Sequence, residues 1–134
     1  MPLTAITDAS GQRVRVDSDD AGRITALTLP DGRAWSLGYD GNGDLTRIAS
    51  PDGGAKTFAY DGSHRIVTMT DALGATYLRN AYDDAGRVVR QWDAAGNERH
   101  FAYEAGQTTY TDQEGRIHTY AFDSRSRITK ITDP

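Results

Sequence analysis

The stretch from Tyr39 to Asp61 reads YDGNGDLTRIASPDGGAKTFAYD, and it both opens and closes on the dipeptide Tyr-Asp. The dipeptide returns at Tyr82-Asp83, changes to Tyr103-Glu104 and ends as Phe122-Asp123. From Tyr39 onward, the aromatic residues of successive copies are separated by 21, 22, 21 and 19 residues. A period of this length is the sequence signature of a repeat protein.

The repeat predicts one continuous array over the whole chain instead of separate domains. We place full copies at 18–38, 39–59, 60–81, 82–102 and 103–121, with partial copies at 1–17 and 122–134. The 134 residues would also suit a single domain of ordinary size.

Two turn signals about ten residues apart occur in each copy. One follows the aromatic residue, as in Asp40 to Gly43 and Asp83 to Gly86, and the other falls in mid-repeat, as in Pro51-Asp52-Gly53. Glycine supplies the positive φ of a tight turn, and Asp or Asn hydrogen-bonds to the backbone of its own turn. Each repeat is therefore predicted to be a β-hairpin, and the chain an all-β, antiparallel meander of about thirteen strands in a curved or spiralling sheet.

The strand before each Tyr-Asp pair alternates with period two. Trp35 and Tyr39 share a face by position, as do Phe58 with Tyr60 and Phe101 with Tyr103. We expect these rings to form an aromatic ladder along one face. In the other strand of each hairpin the apolar residues are three apart, so either a β-bulge restores their parity or both faces are partly covered.

The motif from Tyr82 to Gly96, YDDAGRVVRQWDAAG, resembles the Rhs/YD-repeat family. The resemblance covers essentially the whole chain, although His64 and Ser126 replace the turn glycine. It implies a segment of a hollow β-cocoon that encloses a toxin in secreted bacterial effectors and insecticidal toxin complexes, or serves adhesion in teneurin-like shells. The implied partners are polypeptide cargo or further YD repeats, and the implied location is secreted or at the cell surface. The motif residues are Tyr39, Asp40, Gly43, Tyr60, Asp61, Tyr82, Asp83, Gly86, Arg87, Tyr103, Phe122 and Asp123.

Composition argues against several classes of function. The net charge of −4 provides no basic stripe for nucleic acid. The chain has no cysteine, so a disulfide framework or thiol nucleophile is excluded. No apolar run approaches the ~20 residues that span a bilayer, and residues 1–7 lack the pattern of a cleavable signal peptide.

We predict no catalytic, cofactor-binding or metal-binding residues. The three histidines, His64, His100 and His118, lie at unequal phases of different repeats, and the carboxylates occupy turn positions. Asp40 to Asp44 matches the first half of a calcium loop, but Leu45 and Pro51 stand where the loop needs Gly and Glu.

The sequence therefore favours a non-catalytic structural module, the wall of a shell around a toxin or another polypeptide. The alternative is an adhesion module that binds carbohydrate or protein on its aromatic face, through Trp35, Phe58, Trp92 and Phe101. Unpaired terminal strands and an uncovered aromatic face also predict self-association into a homo-oligomer.

Overall fold

The computed structural model describes residues 3–134, which form thirteen β-strands. In chain order the strands are β1 (Ala5–Thr7), β2 (Arg13–Ser18), β3 (Ile24–Thr28), β4 (Ala34–Tyr39), β5 (Leu45–Ala49), β6 (Ala55–Tyr60), β7 (Ile66–Thr70), β8 (Thr76–Tyr82), β9 (Val88–Asp93), β10 (Glu98–Glu104), β11 (Gln107–Thr111), β12 (Ile117–Phe122) and β13 (Ile128–Thr132).

The strands form one antiparallel sheet in which every strand pairs with its neighbours in sequence. This order confirms the predicted all-β meander. The described residues contain no helix, because a glycine turn about every ten residues leaves too little chain for one. The sheet is open and curled, and nothing else within residues 3–134 packs on it as a second layer.

Most of the turns share one geometry in which an Asp side chain and a residue with positive φ act together. In the turn from Asp83 to Arg87, the Gly86 amide donates to the Asp83 carbonyl at 3.0 Å, and Gly86 has φ of +79°. The Asp83 carboxylate accepts a hydrogen bond from the Arg87 amide at 2.9 Å. His64 and Ser126 occupy the glycine position of their turns with φ of 62° and 59°. A side chain in this region of φ stores backbone strain.

A β-bulge lies next to most of the turns at the Tyr-Asp ends, and it explains why apolar residues three apart in sequence share one face. Tyr39 pairs with Leu45 and Leu37 pairs with Ile48, so the register shifts by one residue between the two pairs. Leu45 and Ile48 are three apart in sequence, yet the bulge places both on the face that carries Leu37 and Tyr39. Equivalent shifts lie next to Ser18, Tyr60, Tyr82 and Phe122.

The register gives the sheet two different faces. The aromatic face carries Leu37, Tyr39, Phe58, Tyr60 and the other side chains that point to the same side of the sheet. The opposite, small-residue face carries the residue immediately before each aromatic of the motif, which is Gly38, Ala59, Ala81, Ala102 or Ala121. Among the described residues only Val16 and Ala49 are buried apolar side chains. The described residues therefore form a sheet one layer thick, without a globular core.

Candidate functional site: the junctions between repeats

The motif tyrosines join successive repeats through their hydroxyl groups. Strands β3 and β4 pair only from Ala26 to Thr28, so they separate towards the Tyr-Asp end. The Tyr39 hydroxyl donates across this gap to the carbonyl of Ile24 at 2.8 Å. The same bond forms from Tyr60 to Leu45 at 2.8 Å and from Tyr82 to Ile66 at 2.6 Å, and from Tyr103 to Val88 at 2.7 Å.

An Arg–Asp pair covers the tyrosine ring at most of these junctions. The Tyr82 junction consists of Asp61, Arg65 and Tyr82. The Arg65 guanidinium lies 4.8 Å from the centre of the Tyr82 ring, and its Nε donates to Asp61 at 2.8 Å. Its Nη1 also reaches the carbonyl of Asp83 in the next turn at 3.1 Å. This arrangement combines a cation–π contact with charge-assisted hydrogen bonds.

Arg23 over Tyr39 and Arg87 over Tyr103 repeat this contact at 4.8 and 4.6 Å. Arg23 pairs with Asp19 at 2.8 Å, and Arg87 pairs with Asp83 at 2.8 Å. The motif residues Asp83 and Arg87 therefore belong to one junction. Together they connect their own turn to Tyr103, the tyrosine of the next copy.

The Tyr60 junction, which consists of Asp40, Asp44, Tyr60 and His64, is built differently. Asp44 stands at the arginine position, and His64 stands at the glycine position of the following turn. His64 Nδ1 lies 2.9 Å from each carboxylate oxygen of Asp44. Both the hydrogen bond and the charge of Asp44 raise the pKa of His64. Burial, together with the charges of Asp44 and Asp40, raises the pKa of Tyr60.

The expected aromatic ladder does not form along the motif tyrosines. Within residues 3–134, close ring contacts join Phe101 to Tyr110 at 5.3 Å and Tyr110 to His118 at 5.4 Å. The motif tyrosines point their hydroxyls at backbone carbonyls instead, because the separated strand ends leave those carbonyls without a partner in the sheet.

Trp92 lies on the small-residue face, so it does not share a surface with Trp35, Phe58 and Phe101. The bulge after Tyr82 is the physical reason. Tyr82 pairs with Val88 but Ala81 pairs with Arg90, so Arg90 and Trp92 point away from the aromatic face. The Arg79 guanidinium covers the Trp92 ring at 4.3 Å.

Trp35 and Phe58 do lie on the aromatic face. Trp35 borders a groove of about 480 Å³ whose lining also includes Ile48 and Leu73. Leu73 is 94% exposed and Trp35 is 39% exposed. Lys56, Asp52 and Asp71 supply the charged groups of the groove.

The histidines and carboxylates do not assemble into a metal site among the described residues. His118 Nδ1 lies 3.0 Å from an oxygen of Asp133, and His100 lies 3.4 Å from Glu98. Burial opposes the ionisation of Asp112, but hydrogen bonds from the amide and guanidinium of Arg116 outweigh it and lower the pKa of that carboxyl to about 2.

The half-loop at Asp40 is occupied by turn hydrogen bonds. One Asp40 carboxylate oxygen accepts from the amides of Asn42 and Asp44, both at 2.9 Å. The Asp44 carboxylate faces His64. These carboxylates therefore hold the turn and the junction and do not converge on a common point.

Comparison with known proteins gives one family match. The RHS repeat model matches residues 19–55 and 39–76. No curated protein matches the chain. No helix in the described part of the chain is long and apolar enough to cross a membrane.

Solved structures share the fold over almost the whole chain. The Photorhabdus luminescens Tc holotoxin pore matches with a TM-score of 0.70 at 20% identity, covering 98% of this chain and 8% of that one. A TcdB2–TccC3–Cdc42 structure matches with a TM-score of 0.71 at 20% identity, and TcdB2–TccC3 without its hypervariable C-terminal region with 0.71 at 21%. Each of these two matches covers 98% of this chain and 9% of the solved chain. The chain therefore spans less than a tenth of the solved chains whose fold it shares, and its residues 19–76 match the RHS repeat model.

Proposed function

We propose that residues 1–134 form one continuous repeat array that serves as a wall segment of a shell around a toxin or another polypeptide cargo. The observation that carries this proposal is the single layer that residues 3–134 form, with thirteen strands and only two buried apolar side chains. A sheet of this kind has two accessible faces and can separate an inside from an outside. In this proposed role the motif residues are structural, and the protein is not an enzyme.

The junctions support the same role. Each described tyrosine bond joins a strand of one copy to a strand of the copy before it, so the wall is fastened at regular intervals along its length. Hydroxyl-to-carbonyl bonds fill the gaps where strand pairing stops. By resemblance to the family, we place the protein outside the cell or at its surface.

A segment exchange tests the proposal. The matching stretch of the TcdB2–TccC3 protein is replaced by residues 3–134, and a second chimera carries the same insert with Tyr39, Tyr60, Tyr82 and Tyr103 changed to Ala. We expect the first chimera to keep an enclosed polypeptide resistant to added protease and the second to lose this protection. A first chimera that folds by circular dichroism but leaves the polypeptide open to protease contradicts the wall function.

Carbohydrate binding is a second candidate, because the groove beside Trp35 combines an exposed indole with carboxylates and an amine. Aromatic rings stack on sugar faces, while charged groups hydrogen-bond to hydroxyls. A glycan screen with the wild-type chain and with Trp35→Ala tests this function. Binding that is lost in Trp35→Ala but kept in Trp92→Ala supports it, whereas no binding by the wild type rejects it.

We also propose that the isolated 134-residue chain self-associates. Strands β1 and β13 each pair on one side only in the sheet, and Ile128 and Ile131 on β13 are more than half exposed. Unpaired strand edges and exposed apolar side chains favour edge pairing. Light scattering during size-exclusion chromatography should show a species larger than the 14.6 kDa chain. A monomer at tens of micromolar rejects self-association and leaves the wall function standing.

A further inference from the structure

The Tyr60 junction departs from its neighbours at two positions that contact each other. At the Tyr39 and Tyr82 junctions an arginine side chain reaches the glycine of the following turn. Arg23 Nη1 lies 3.6 Å from where a Cβ on Gly43 would stand, and Arg65 Nη1 lies 3.8 Å from the corresponding point on Gly86. In the Tyr60 junction the same two places hold Asp44 and His64. The arginine-to-acid change and the glycine-to-histidine change are therefore complementary.

The backbone of His64 is in a strained conformation. Its φ of 62° lies in the left-handed region, where glycine is favoured. Its Nδ1 nevertheless lies 2.9 Å from both oxygens of Asp44, whose side chain is only 14% exposed. A protonated imidazole makes this contact a charge-assisted hydrogen bond, and a neutral imidazole makes it a weaker one.

We propose that Asp44 and His64 form a proton-dependent clasp that fastens copy 39–59 to copy 60–81, a device that this junction has in place of the permanent arginine. The clasp holds with His64 protonated and loosens when His64 loses its proton. It goes beyond the wall function, since it makes the strength of one junction depend on pH while the arginine junctions stay constant over the range in which His64 titrates.

The charged groups around the clasp favour this behaviour. Asp40 and Asp61 face His64 together with Asp44, and each favours the imidazolium. Arg23 at the 40–43 turn is paired with Asp19, and Arg65 beside His64 is paired with Asp61, so both cations are already neutralised. Tyr60 keeps its proton near neutral pH because its pKa is raised from its usual value of about 10.

The direction of the pH dependence follows from linkage. Because the pKa of His64 is raised in the folded chain, the clasp contributes fully below the unfolded histidine pKa of about 6.5. Its contribution is lost as the pH rises through the folded value. The Tyr60 junction is therefore fastened in mildly acidic solution and loosened in mildly alkaline solution.

Two measurements on the 134-residue chain test the clasp. In the first, NMR follows the titration of the His64 ring in wild type and in Asp44→Asn. We expect the substitution to lower the pKa of His64, because it removes the charge and weakens the hydrogen bond that raise it. An unchanged titration overturns the proposal.

The second measurement is a double-mutant cycle of wild type, Asp44→Ala, His64→Gly and the double variant, by urea unfolding at pH 5.5 and 8.5. His100 and His118 are the same in all four chains, so their titration cancels. We expect a coupling between Asp44 and His64 of about threefold or more in the unfolding constant at pH 5.5, which falls towards onefold at pH 8.5. A coupling that is absent, or equal at both pH values, overturns the clasp. His64→Gly restores the usual turn residue and so does not endanger folding.

Discussion

The Tyr82 and Tyr60 junctions perform the same task with different chemistry. Both use a tyrosine hydroxyl bonded to the backbone of the preceding copy, at 2.6 Å and 2.8 Å. At the Tyr82 junction a guanidinium covers the ring and pairs with Asp61. At the Tyr60 junction the acid and the histidine contact each other instead. The two junctions therefore share the backbone geometry of the bulged hairpin and the tyrosine bond. They differ in the charged side chains around the tyrosine.

The largest effect should come from the shared backbone. Gly86→Val is expected to cost about 1–3 kcal/mol of unfolding free energy, because a β-branched residue strains a turn position whose φ is +79°. Gly62→Val and Asp84→Ala serve as controls, since neither changes a residue of positive φ. Both should cost much less in urea melts. Equal losses in the three variants would mean that φ is not what makes the glycine necessary.

The hydroxyl bonds come next in size. Tyr103→Phe and Tyr60→Phe should each lose about 1 kcal/mol, because each leaves a backbone carbonyl without its side-chain donor. The two losses should be similar, as the bond does not depend on the covering charge. Urea unfolding at pH 7 measures both variants. A large loss in only one of them would show that the ring cover, and not the hydroxyl, carries the junction.

The repeat spacing was sufficient to predict these hairpins but not their junctions. Glycines such as Gly43 and Gly86 marked the turns, so the thirteen strands followed from local chemistry. The face occupied by Trp92 depends on a bulge, which one residue of register determines and the spacing does not. The carbonyl that receives each tyrosine lies about 15 residues upstream, across a strand gap. No pattern of residue types marks that acceptor.

The Asp44–His64 contact had a signal that position-by-position reading missed. The two residues lie 20 apart, close to one repeat period, and each departs from the residue type that most of its equivalents share. Arg23, Arg65 and Arg87 stand where Asp44 stands, and Gly43 and Gly86 stand where His64 stands. Two exceptions one period apart indicate a contact between adjacent copies.

Acid should weaken the turns of the arginine junctions, in the opposite direction from the loosening of the clasp. The Arg87 amide hydrogen bond lowers the pKa of Asp83, and the pKa of Asp112 falls to about 2. Because these folded values are depressed, their stabilisation is present above the unfolded pKa of about 3.9 and is lost as the pH falls through the folded values. Urea midpoints should therefore drop from about pH 4 towards pH 2. Asp83→Asn should reduce that drop, and a drop of unchanged size would exclude Asp83 as a source.

Calcium should have the smallest effect, although the Tyr60 junction concentrates acids where its neighbours have arginine. The carboxylates of Asp40 and Asp44 are directed at turn amides and at His64, respectively. A calcium ion needs six to eight oxygens, so binding would have to break the contacts that hold this turn. Isothermal titration should find no site tighter than about 10⁻⁴ M. A tighter site that disappears in Asp44→Asn would show that the acids of this junction receive a cation in place of the missing arginine, and that His64 is displaced when they do.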